Sequence, residues 1–403
     1  MNSINRPPLL LAAIIVGLFS MLGAFSIDIY FPSFKEMEIY FSTTPASIQQ
    51  TLTAYMVPYA IASFFYGPIS DAIGRKRLLL ISLVVFAVGS AGAALSDSLE
   101  GVLFWRGIQG LSAGAGKVLG RAIIRDLYTA SDSQKVMAWT SVLFGIAPAS
   151  APVIGGWLQL TVGWQGPFWF VALFTIVLVI STAVVFPETH PREKRIPLHV
   201  VPLARQCLAL LGSTRFVGLS LVLGLGFSPV FLYIASSAAV VMDHWRLGEL
   251  GFIYFAGPLI SGMVAGGLIA GKVAGKFSRE STALVGLWIT AASGAAGLLG
   301  AFLEVPYFLA VIPIAMMAAS SALVFPAVTV DILETAPLAR GTASSLSNAI
   351  SLGIMALVGG LLSPMVSHSP TVLAAVALLL ALVACGSWFA TRVGKGVPLA
   401  EAL

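Results

Sequence analysis

A single carboxylate lies within one of the most apolar stretches of this sequence. No charged residue occurs from Leu9 to Ile27, then Asp28 follows, and six further uncharged positions separate it from Lys35. An ionised aspartate inside a membrane-spanning helix costs several kcal/mol unless it is paired or hydrated. Every other acid lies in a loop or at the end of an apolar segment, although Glu249 is near the start of one. We therefore expect reversible protonation at Asp28.

A basic side chain, Arg106, is expected at a similar depth in another apolar segment. Asp28 precedes Lys35 by seven residues and Arg106 follows Glu100 by six, which places both groups about 9–11 Å below one membrane boundary. Burial disfavours an ionised carboxylate, whereas a nearby guanidinium favours it. These opposed effects would let a proton gradient control whether Asp28 carries a proton. The alternative is a structural ion pair, although buried ion pairs stabilise a protein weakly compared with apolar packing.

The composition requires a membrane environment around these charges. Of the 403 residues, 58% are hydrophobic and only 10% are charged, with a mean hydropathy of +0.95, whereas soluble domains carry about 25% charged residues. The chain is therefore predicted to be an all-α membrane protein, with apolar segments close to the ~20 residues that a span needs. The twelve predicted spans are residues 9–31, 47–70, 78–96, 101–123, 134–158, 167–187, 214–240, 248–270, 282–303, 306–329, 342–366 and 372–391.

The predicted spans fall into two groups of six. The longest charged interruption, Pro187 to Gln206, follows span six, so we expect an N-terminal half at 1–187, a cytoplasmic linker at 188–213 and a C-terminal half at 214–403. A shift of 204 positions places Gly67 on Gly271, Arg75 on Arg279, and Gly155–Gly156 on Gly359–Gly360. Parallel repeats of this type are typical of transporters that bind substrate between the two halves.

The basic residues predict the orientation in the membrane. All but four of the 22 Lys and Arg residues lie on the side of the N-terminus, the exceptions being Lys35, Arg106, Lys117 and Arg246. Because basic residues concentrate in cytoplasmic loops, we expect both termini in the cytoplasm. This topology explains the net charge of +5, and we expect a lipid bilayer around the chain and no nucleic-acid partner.

The loop between spans two and three has the sequence GPISDAIGRKR, Gly67 to Arg77. Gly67 would let a neighbouring helix approach closely, Asp71 could cap a helix or pair with a cation, and Gly74 permits a tight turn. An ordinary basic hairpin between two helices is the alternative. The residues alone leave both interpretations open.

Span five contains GIAPASAPVIGGW, which combines small residues with two prolines. Pro148 and Pro152 remove two backbone donors on one side of the helix and should bend it. Gly145, Gly155 and Gly156 give a small-residue surface for close packing against the other half. Generic small-residue packing is the alternative interpretation.

Together these motifs resemble those of the major facilitator superfamily. GPISDAIGRKR matches its signature loop, RGIQGLSAGAG in span four resembles its fourth-helix motif, and the span-five sequence resembles the motif of its drug:proton antiporters, with Ala151 in place of the usual glycine. The segments SIDIYFP, RAIIRDLY and LARGTASSLSNAI narrow the resemblance to the bicyclomycin/chloramphenicol resistance subfamily. The resemblance covers essentially the whole chain and implies the major facilitator fold, with twelve transmembrane helices in two halves of six.

The resemblance implies a conformational latch at the signature loop. In the family, the loop aspartate faces the N-terminus of the eleventh helix, where a carboxylate is electrostatically favourable. It forms a charge relay with a loop arginine and with an acid after the fourth helix. At the matching positions of this chain, the relay consists of Asp71, Arg75 and Asp126, with Gly67 and Gly74 in the same motif.

The resemblance also implies proton coupling. The first-helix aspartate of the subfamily falls on Asp28 and its fourth-helix arginine falls on Arg106. Related multidrug exporters often carry a second acid one or two turns earlier in the first helix. Those positions are Ser20, Met21 and Ala24 here, so a mechanism with two acids is not indicated.

A substrate cavity needs aromatic and polar side chains along the spans. Arg106, Gly110, Ala113 and Lys117 fall on one face of span four, and Lys117 either points into the cavity or extends to the cytoplasmic interface. Each aromatic candidate alone is also compatible with packing or lipid contact. The predicted cavity residues are Tyr30, Tyr55, Tyr59, Gln109, Lys117, Phe144, Phe227, Phe231 and Tyr254.

These features predict a secondary active transporter and not an enzyme. The sequence offers no nucleophile–base pair, metal-ligand cluster or nucleotide-binding loop, so we expect no metal, no cofactor and a proton gradient as the energy source. The expected function is export of small amphipathic drugs, such as bicyclomycin- or chloramphenicol-like antibiotics, in exchange for protons by a monomer in a bacterial inner membrane. The alternatives are a proton-coupled transporter of a metabolite, such as an amino acid or sugar, and a non-transporting membrane sensor.

Overall fold

The computed structural model describes residues 6–191, 193, 195, 200–273, 276–337 and 339–393. Within these ranges the chain forms helices, which confirms the predicted all-α class. Contacts divide the chain into two compact units, Met1–Leu198 (unit 1) and His199–Leu403 (unit 2). The boundary between the units lies inside the linker predicted at 188–213.

Unit 1 contains eight α-helices in its described part. Three of them begin at a capping residue, because the side-chain oxygens of Thr44, Ser98 and Thr129 accept a backbone N–H group from the first turn. The helices are α1 (Leu9–Asp28), α2 (Phe34–Tyr40), α3 (Pro45–Ile73), α4 (Arg75–Ala94), α5 (Leu99–Ala113), α6 (Ala115–Leu127), α7 (Ala130–Val162) and α8 (Gly166–Val185).

Unit 2 contains another eight α-helices in its described part. Ser213 and Ser278 cap two of them in the same way. Two π-helical stretches, Ala239–His244 and Val358–Leu362, lie between the α-helices. The α-helices are α9 (Val200–Leu211), α10 (Thr214–Ala235), α11 (Phe252–Val273), α12 (Arg279–Phe302), α13 (Tyr307–Thr335), α14 (Arg340–Leu357), α15 (Ser363–Val366) and α16 (Pro370–Val393).

The helices follow the predicted spans. By length and composition, nine helical segments in the described ranges could cross a membrane. The three remaining predicted spans correspond to α3, to the pair α5 and α6, and to α7. Neither α5, with 15 residues, nor α6, with 13, is long enough to cross alone.

Several spans are interrupted where the sequence predicted continuous helices; in span seven, for example, α10 ends at Ala235 and a π-helical stretch begins at Ala239. Span one was predicted to reach residue 31, but α1 ends at Asp28 and a 3-10 turn with Pro32 follows, because a proline has no N–H group for a helical hydrogen bond. Span four is divided at Gly114, and a π-helical stretch separates α14 from α15 in span eleven. A hydropathy window does not detect such breaks, since one lost hydrogen bond leaves the composition unchanged.

Pairs of neighbouring helices build each unit. In unit 1, α1 packs against α7, α3 against α5, and α4 against α8. A Cβ atom at Gly110 would overlap the carbonyl oxygen of Tyr55, so this glycine allows α5 to approach the α3 backbone. In unit 2, α13 packs against α11 and α12, and the core includes Phe216, Leu287 and Trp388.

Candidate functional site

Asp28 is the last residue of α1 and is buried, with 7% of its surface exposed. Among the described residues, no salt bridge and no hydrogen bond to its carboxylate is seen. The C-terminus of a helix carries a partial negative charge. An ionised carboxylate at this position is therefore costly both because it is buried and because of the helix end beside it.

Arg106 of α5 is completely buried, and neutral groups surround its guanidinium. Nη1 donates to the carbonyl and Oγ of Ser26, at 3.0 and 3.1 Å, and to Oε1 of Gln109 at 2.9 Å. Nη2 donates to the Tyr30 hydroxyl at 3.2 Å, and Nε donates to the Thr51 carbonyl at 3.3 Å. The buried cation therefore has acceptors from α1, α3 and α5.

Two aromatic rings complete the surroundings of this cation. The centre of the guanidinium lies 4.6 Å from the ring centroid of Tyr30 and 4.3 Å from that of Tyr55. Cation–π attraction at such distances stabilises a desolvated guanidinium. The ring of Tyr55 also packs against Tyr59, with a centroid distance of 5.9 Å. Three of the predicted cavity tyrosines thus lie in one cluster around or beside Arg106.

The described contacts of Arg106 do not include a salt bridge with Asp28. Arg106 instead bonds to Ser26 and Tyr30, which lie two residues before and two residues after Asp28. The arginine therefore holds the chain on both sides of the carboxylate without pairing with it. The influence of Arg106 on the protonation of Asp28 stays a prediction.

The hydrogen bonds continue from Arg106 into α4. Gln109 uses its oxygen to accept from Arg106, and its Nε2 donates to Oγ of Ser90 at 2.7 Å. The Ser90 hydroxyl donates in turn to the carbonyl of Phe86 at 2.8 Å. Ser90 was not predicted from the sequence, because a serine in an apolar helix carries no signal of a partner on another helix.

The antiporter motif of α7 reaches the end of α1. A Cβ atom at Gly155 would overlap the carbonyl oxygen of Ile29, the residue after Asp28. Pro152 and Gly156 are buried on the same helix, which continues without interruption past both prolines. The side chains of Phe144 and Pro148, and the surroundings of Gly145, lie outside the described residues.

The predicted latch residues meet at the ends of three helices. Nη1 of Arg75, at the start of α4, lies 2.7 Å from Oδ2 of Asp126 near the end of α6. Nη2 of Arg75 lies 3.7 Å from Oδ1 of Asp71 near the end of α3. Gly74 joins α3 to α4 with φ of +104°, which favours glycine. A Cβ atom at Gly67 would meet no described heavy atom within 4 Å, and the close approach of another helix at this glycine stays a prediction.

Glu188 belongs to this cluster but was not predicted. Its Oε1 accepts from the backbone N–H of Arg75 at 2.9 Å and of Lys76 at 3.4 Å, and its Oε2 accepts from that of Arg77 at 3.3 Å. The carboxylate thus caps α4, whose N-cap residue, Gly74, has no side chain to do so. Glu188 lies over one hundred residues from Arg75 in the sequence. The only sequence signal for such an acid is the start of α4, which lacks a capping side chain.

Unit 2 contains a second arginine cluster at the repeat position of Arg75. The guanidinium of Arg279, at the start of α12, donates to both oxygens of Glu334 at 2.7 and 2.9 Å. It also lies 3.5 Å from Oδ1 of Asp331. The shift of 204 positions had aligned Arg279 with Arg75, but its two acids were not predicted, because the same shift aligns them with Leu127 and Ala130, which carry no charge.

The remaining cavity candidates occupy varied positions. Lys117 is half-buried on α6, and Gln109 is buried on α5. In unit 2, Phe231 is buried beside the half-buried Phe227, with ring centroids 6.5 Å apart. Tyr254 is 52% exposed and packs against Tyr307 with ring centroids 5.8 Å apart, and its place in a cavity stays a prediction.

Comparisons with known proteins agree on one family. The sequence pattern described as Major Facilitator Superfamily matches residues 13–360. A bicyclomycin resistance protein homolog of Haemophilus influenzae is 28% identical over 87% of this chain and 88% of its own. A chloramphenicol resistance protein of Acinetobacter baumannii is 25% identical over 71% of this chain and 68% of its own.

Solved structures agree on the fold. The crystal structure of a D-xylose–proton symporter superposes with a TM-score of 0.76, covers 98% of this chain and 99% of its own, and is 15% identical. At that identity the likeness shows the fold alone. The matches with resistance proteins and with this structure confirm the predicted family resemblance and fold.

Proposed function

Because the chain belongs to the major facilitator superfamily, we propose that it exports small amphipathic drugs from the cytoplasm in exchange for protons. Asp28 is the residue on which this proposal depends. It is a buried carboxylate without a described ionic partner, at a break in α1, beside a buried arginine satisfied by neutral acceptors. Such a carboxylate can accept and release a proton without breaking a salt bridge.

The energy of the proton gradient is sufficient for this exchange. Each charge that crosses the membrane contributes ~2.3 kcal/mol per 100 mV of membrane potential, and each pH unit contributes ~1.4 kcal/mol. Proton binding at Asp28 would remove a costly buried charge, and proton release would restore it. No cofactor is needed in this mechanism, which uses the gradient alone.

The proposed substrate class comes from the relatives. Their printed names concern resistance to bicyclomycin and to chloramphenicol, so antibiotics of these two classes are the proposed substrates. The proposal places the chain in a bacterial inner membrane as a monomer. Both termini are proposed to lie in the cytoplasm, because the basic residues concentrate on that side.

The test is uphill transport of chloramphenicol by purified protein in proteoliposomes with an imposed pH gradient. Asp28→Asn keeps the shape of the side chain but cannot be ionised, so we expect the variant to insert normally and to lose uphill transport. Asp97→Asn is the matched control, because Asp97 lies in the exposed loop between α4 and α5.

Two results would contradict the proposal. Uphill export by Asp28→Asn with the pH dependence of the wild-type protein would show that Asp28 is not the proton site. Failure of the wild-type protein to transport any member of a drug panel, together with Asp28-dependent transport of an amino acid or sugar, would instead identify a metabolite transporter.

A further inference from the structure

The Ser90 hydroxyl lies at the end of a buried hydrogen-bond chain that begins at Arg106. Ser90 and Arg106 are each 0% exposed, and Gln109 between them is 1% exposed. The chain crosses from α5 to α4: Arg106 donates to Gln109, Gln109 donates to Ser90, and Ser90 donates to a backbone carbonyl of its own helix. Water cannot replace a lost member of a chain buried to this degree without a cavity to occupy.

The direction of each bond follows from the donors available. A serine hydroxyl has one hydrogen, and that of Ser90 is directed to the Phe86 carbonyl, so its oxygen faces Gln109 as an acceptor. The amide nitrogen of Gln109 must therefore face Ser90, and the amide oxygen must face Arg106. The opposite orientation would place the amide N–H groups against the guanidinium, where both partners are donors.

The close approach of α4 to α5 supports a specific contact between these residues. A Cβ atom at Gly89, the residue before Ser90, would lie 3.0 Å from Cγ of Gln109 and 3.2 Å from its backbone nitrogen. The glycine therefore gives the Gln109 side chain the space through which it reaches Ser90.

We propose that Ser90 is a positioning residue for proton coupling: its hydroxyl orients the Gln109 amide, which holds the Arg106 guanidinium away from Asp28. This proposal rests on the proposed function of Asp28. Without Ser90, the amide nitrogen of Gln109 loses its acceptor, so the amide oxygen is held less firmly against Nη1 of Arg106. The guanidinium can then turn toward Asp28, which lies in the chain between Ser26 and Tyr30, two of its present partners.

Other titratable groups around α1 stay the same when Ser90 is changed. The neighbouring tyrosines are Tyr30, Tyr55 and Tyr59. Of the helices packed against α1, α8 has no charged residue. The charged residues of the other two are Lys117, Arg121, Arg125 and Asp126 of α6 and Asp132 and Lys135 of α7. Their contribution cancels when variants at position 90 are compared with the wild-type protein.

The experiment titrates the carboxylic-acid infrared band of Asp28 in purified protein, identified as the band that Asp28→Asn removes. In Ser90→Ala we expect this band to disappear at a pH about one unit lower than in the wild-type protein, because a nearby guanidinium stabilises the ionised form. The pH profile of chloramphenicol export should shift in the same direction. The infrared measurement needs no substrate, so failure of drug export would leave the Ser90 proposal testable.

Matched variants separate positioning from general damage. Ser90→Thr keeps the hydroxyl and its bond to the preceding turn, so it should restore the wild-type titration. Ser20→Ala removes the same type of bond, from Ser20 Oγ to the Val16 carbonyl at 3.2 Å, at another buried site, and should cause no shift. In a Gln109→Leu background, Ser90→Ala should add no further shift.

The proposal is overturned by any of three outcomes. The first is a Ser90→Ala variant that titrates and transports as the wild-type protein does. The second is an equal shift in Ser20→Ala. The third is a further shift caused by Ser90→Ala in the Gln109→Leu background, since Ser90 would then act on Asp28 by a route other than Gln109.

Discussion

The carbonyl oxygen of Ile29 occupies the position that a side chain on Gly155 would need. The antiporter motif of α7 is therefore in direct contact with the broken end of α1, one residue after Asp28. Because the contact involves the backbone of Ile29, a larger residue at position 155 cannot be accommodated by a side-chain rotation. The glycine couples the position of α7 to that of the proposed proton site.

Gly155→Ala should lower both stability and transport. Overpacking of this type costs about 1–3 kcal/mol, and displacement of α1 should move Asp28 relative to Arg106. Thermal unfolding in detergent and chloramphenicol transport in proteoliposomes measure the two effects. Gly107→Ala is the control, since a Cβ atom there would lie 3.8 Å from its nearest described neighbour. Equal effects of both substitutions would contradict the contact.

The latch predicts a different kinetic result. Asp71→Ala should slow turnover and leave substrate affinity nearly unchanged, because Asp71 contacts Arg75 at the end of α3 and lies outside the proposed cavity. Asp126→Asn should lower the unfolding temperature more than Asp71→Asn. The reason is that Asp126 approaches Arg75 more closely and its side chain is 25% exposed, against 45% for Asp71.

Steady-state transport and thermal unfolding distinguish these expectations. A large loss of affinity in Asp71→Ala with unchanged turnover would contradict the assignment of Asp71 to a latch. The predicted contact of Asp71 with the N-terminus of the eleventh transmembrane span, which contains α14, concerns two different units and stays a prediction.

The sequence predicted the helices well but not the contacts that make the site. Long apolar segments identify spans because the hydrophobic pattern extends over about 20 residues. The break after Asp28 depends on a single proline at position 32, and the acceptors of Arg106 come from α1 and α3. Neither is visible in a hydropathy pattern.

Two further features show what the motifs can and cannot indicate. The loop motif places Asp71 close to Arg75 in the sequence, whereas the family resemblance alone indicated Asp126. The motif could not indicate Glu188, which reaches the start of α4 from beyond α8. A partner that depends on tertiary packing leaves only an indirect signal, such as the missing cap at Gly74.

Glu188 should stabilise the start of α4. Glu188→Ala should cost about 0.5–2 kcal/mol, the range measured for the loss of a helix cap. Glu188→Gln should cost less, because it keeps one acceptor oxygen. Hydrogen exchange of the amides of Arg75, Lys76 and Arg77 should accelerate in Glu188→Ala, since they donate to this carboxylate.

The control for Glu188 is another acid of the same segment. Glu193 is exposed, and Glu193→Ala should leave the exchange rates in the first turn of α4 unchanged. If Glu188→Ala also leaves those rates unchanged, the carboxylate does not cap the helix in solution.

Charge selectivity should depend on Lys117, which is half-buried in the first turn of α6, just after the break at Gly114. With Asp28 and Arg106, a Lys117 that faces the cavity gives formal charges that sum to +1, and protonation of Asp28 raises the sum to +2. Coulomb interactions are weakly screened away from water, so such a cavity repels lipophilic cations and accepts neutral or zwitterionic drugs.

Lys117→Ser should therefore increase export of a cationic dye, such as ethidium, relative to chloramphenicol. The measurement is paired transport of both compounds by the two forms in the same vesicles. Lys135→Ser is the control, because Lys135 is an exposed lysine that pairs with Asp132 at 3.0 Å, and its loss should leave the ratio unchanged. An unchanged ratio in Lys117→Ser would mean that the ammonium group extends to the cytoplasmic interface, where water screens its charge from the substrate.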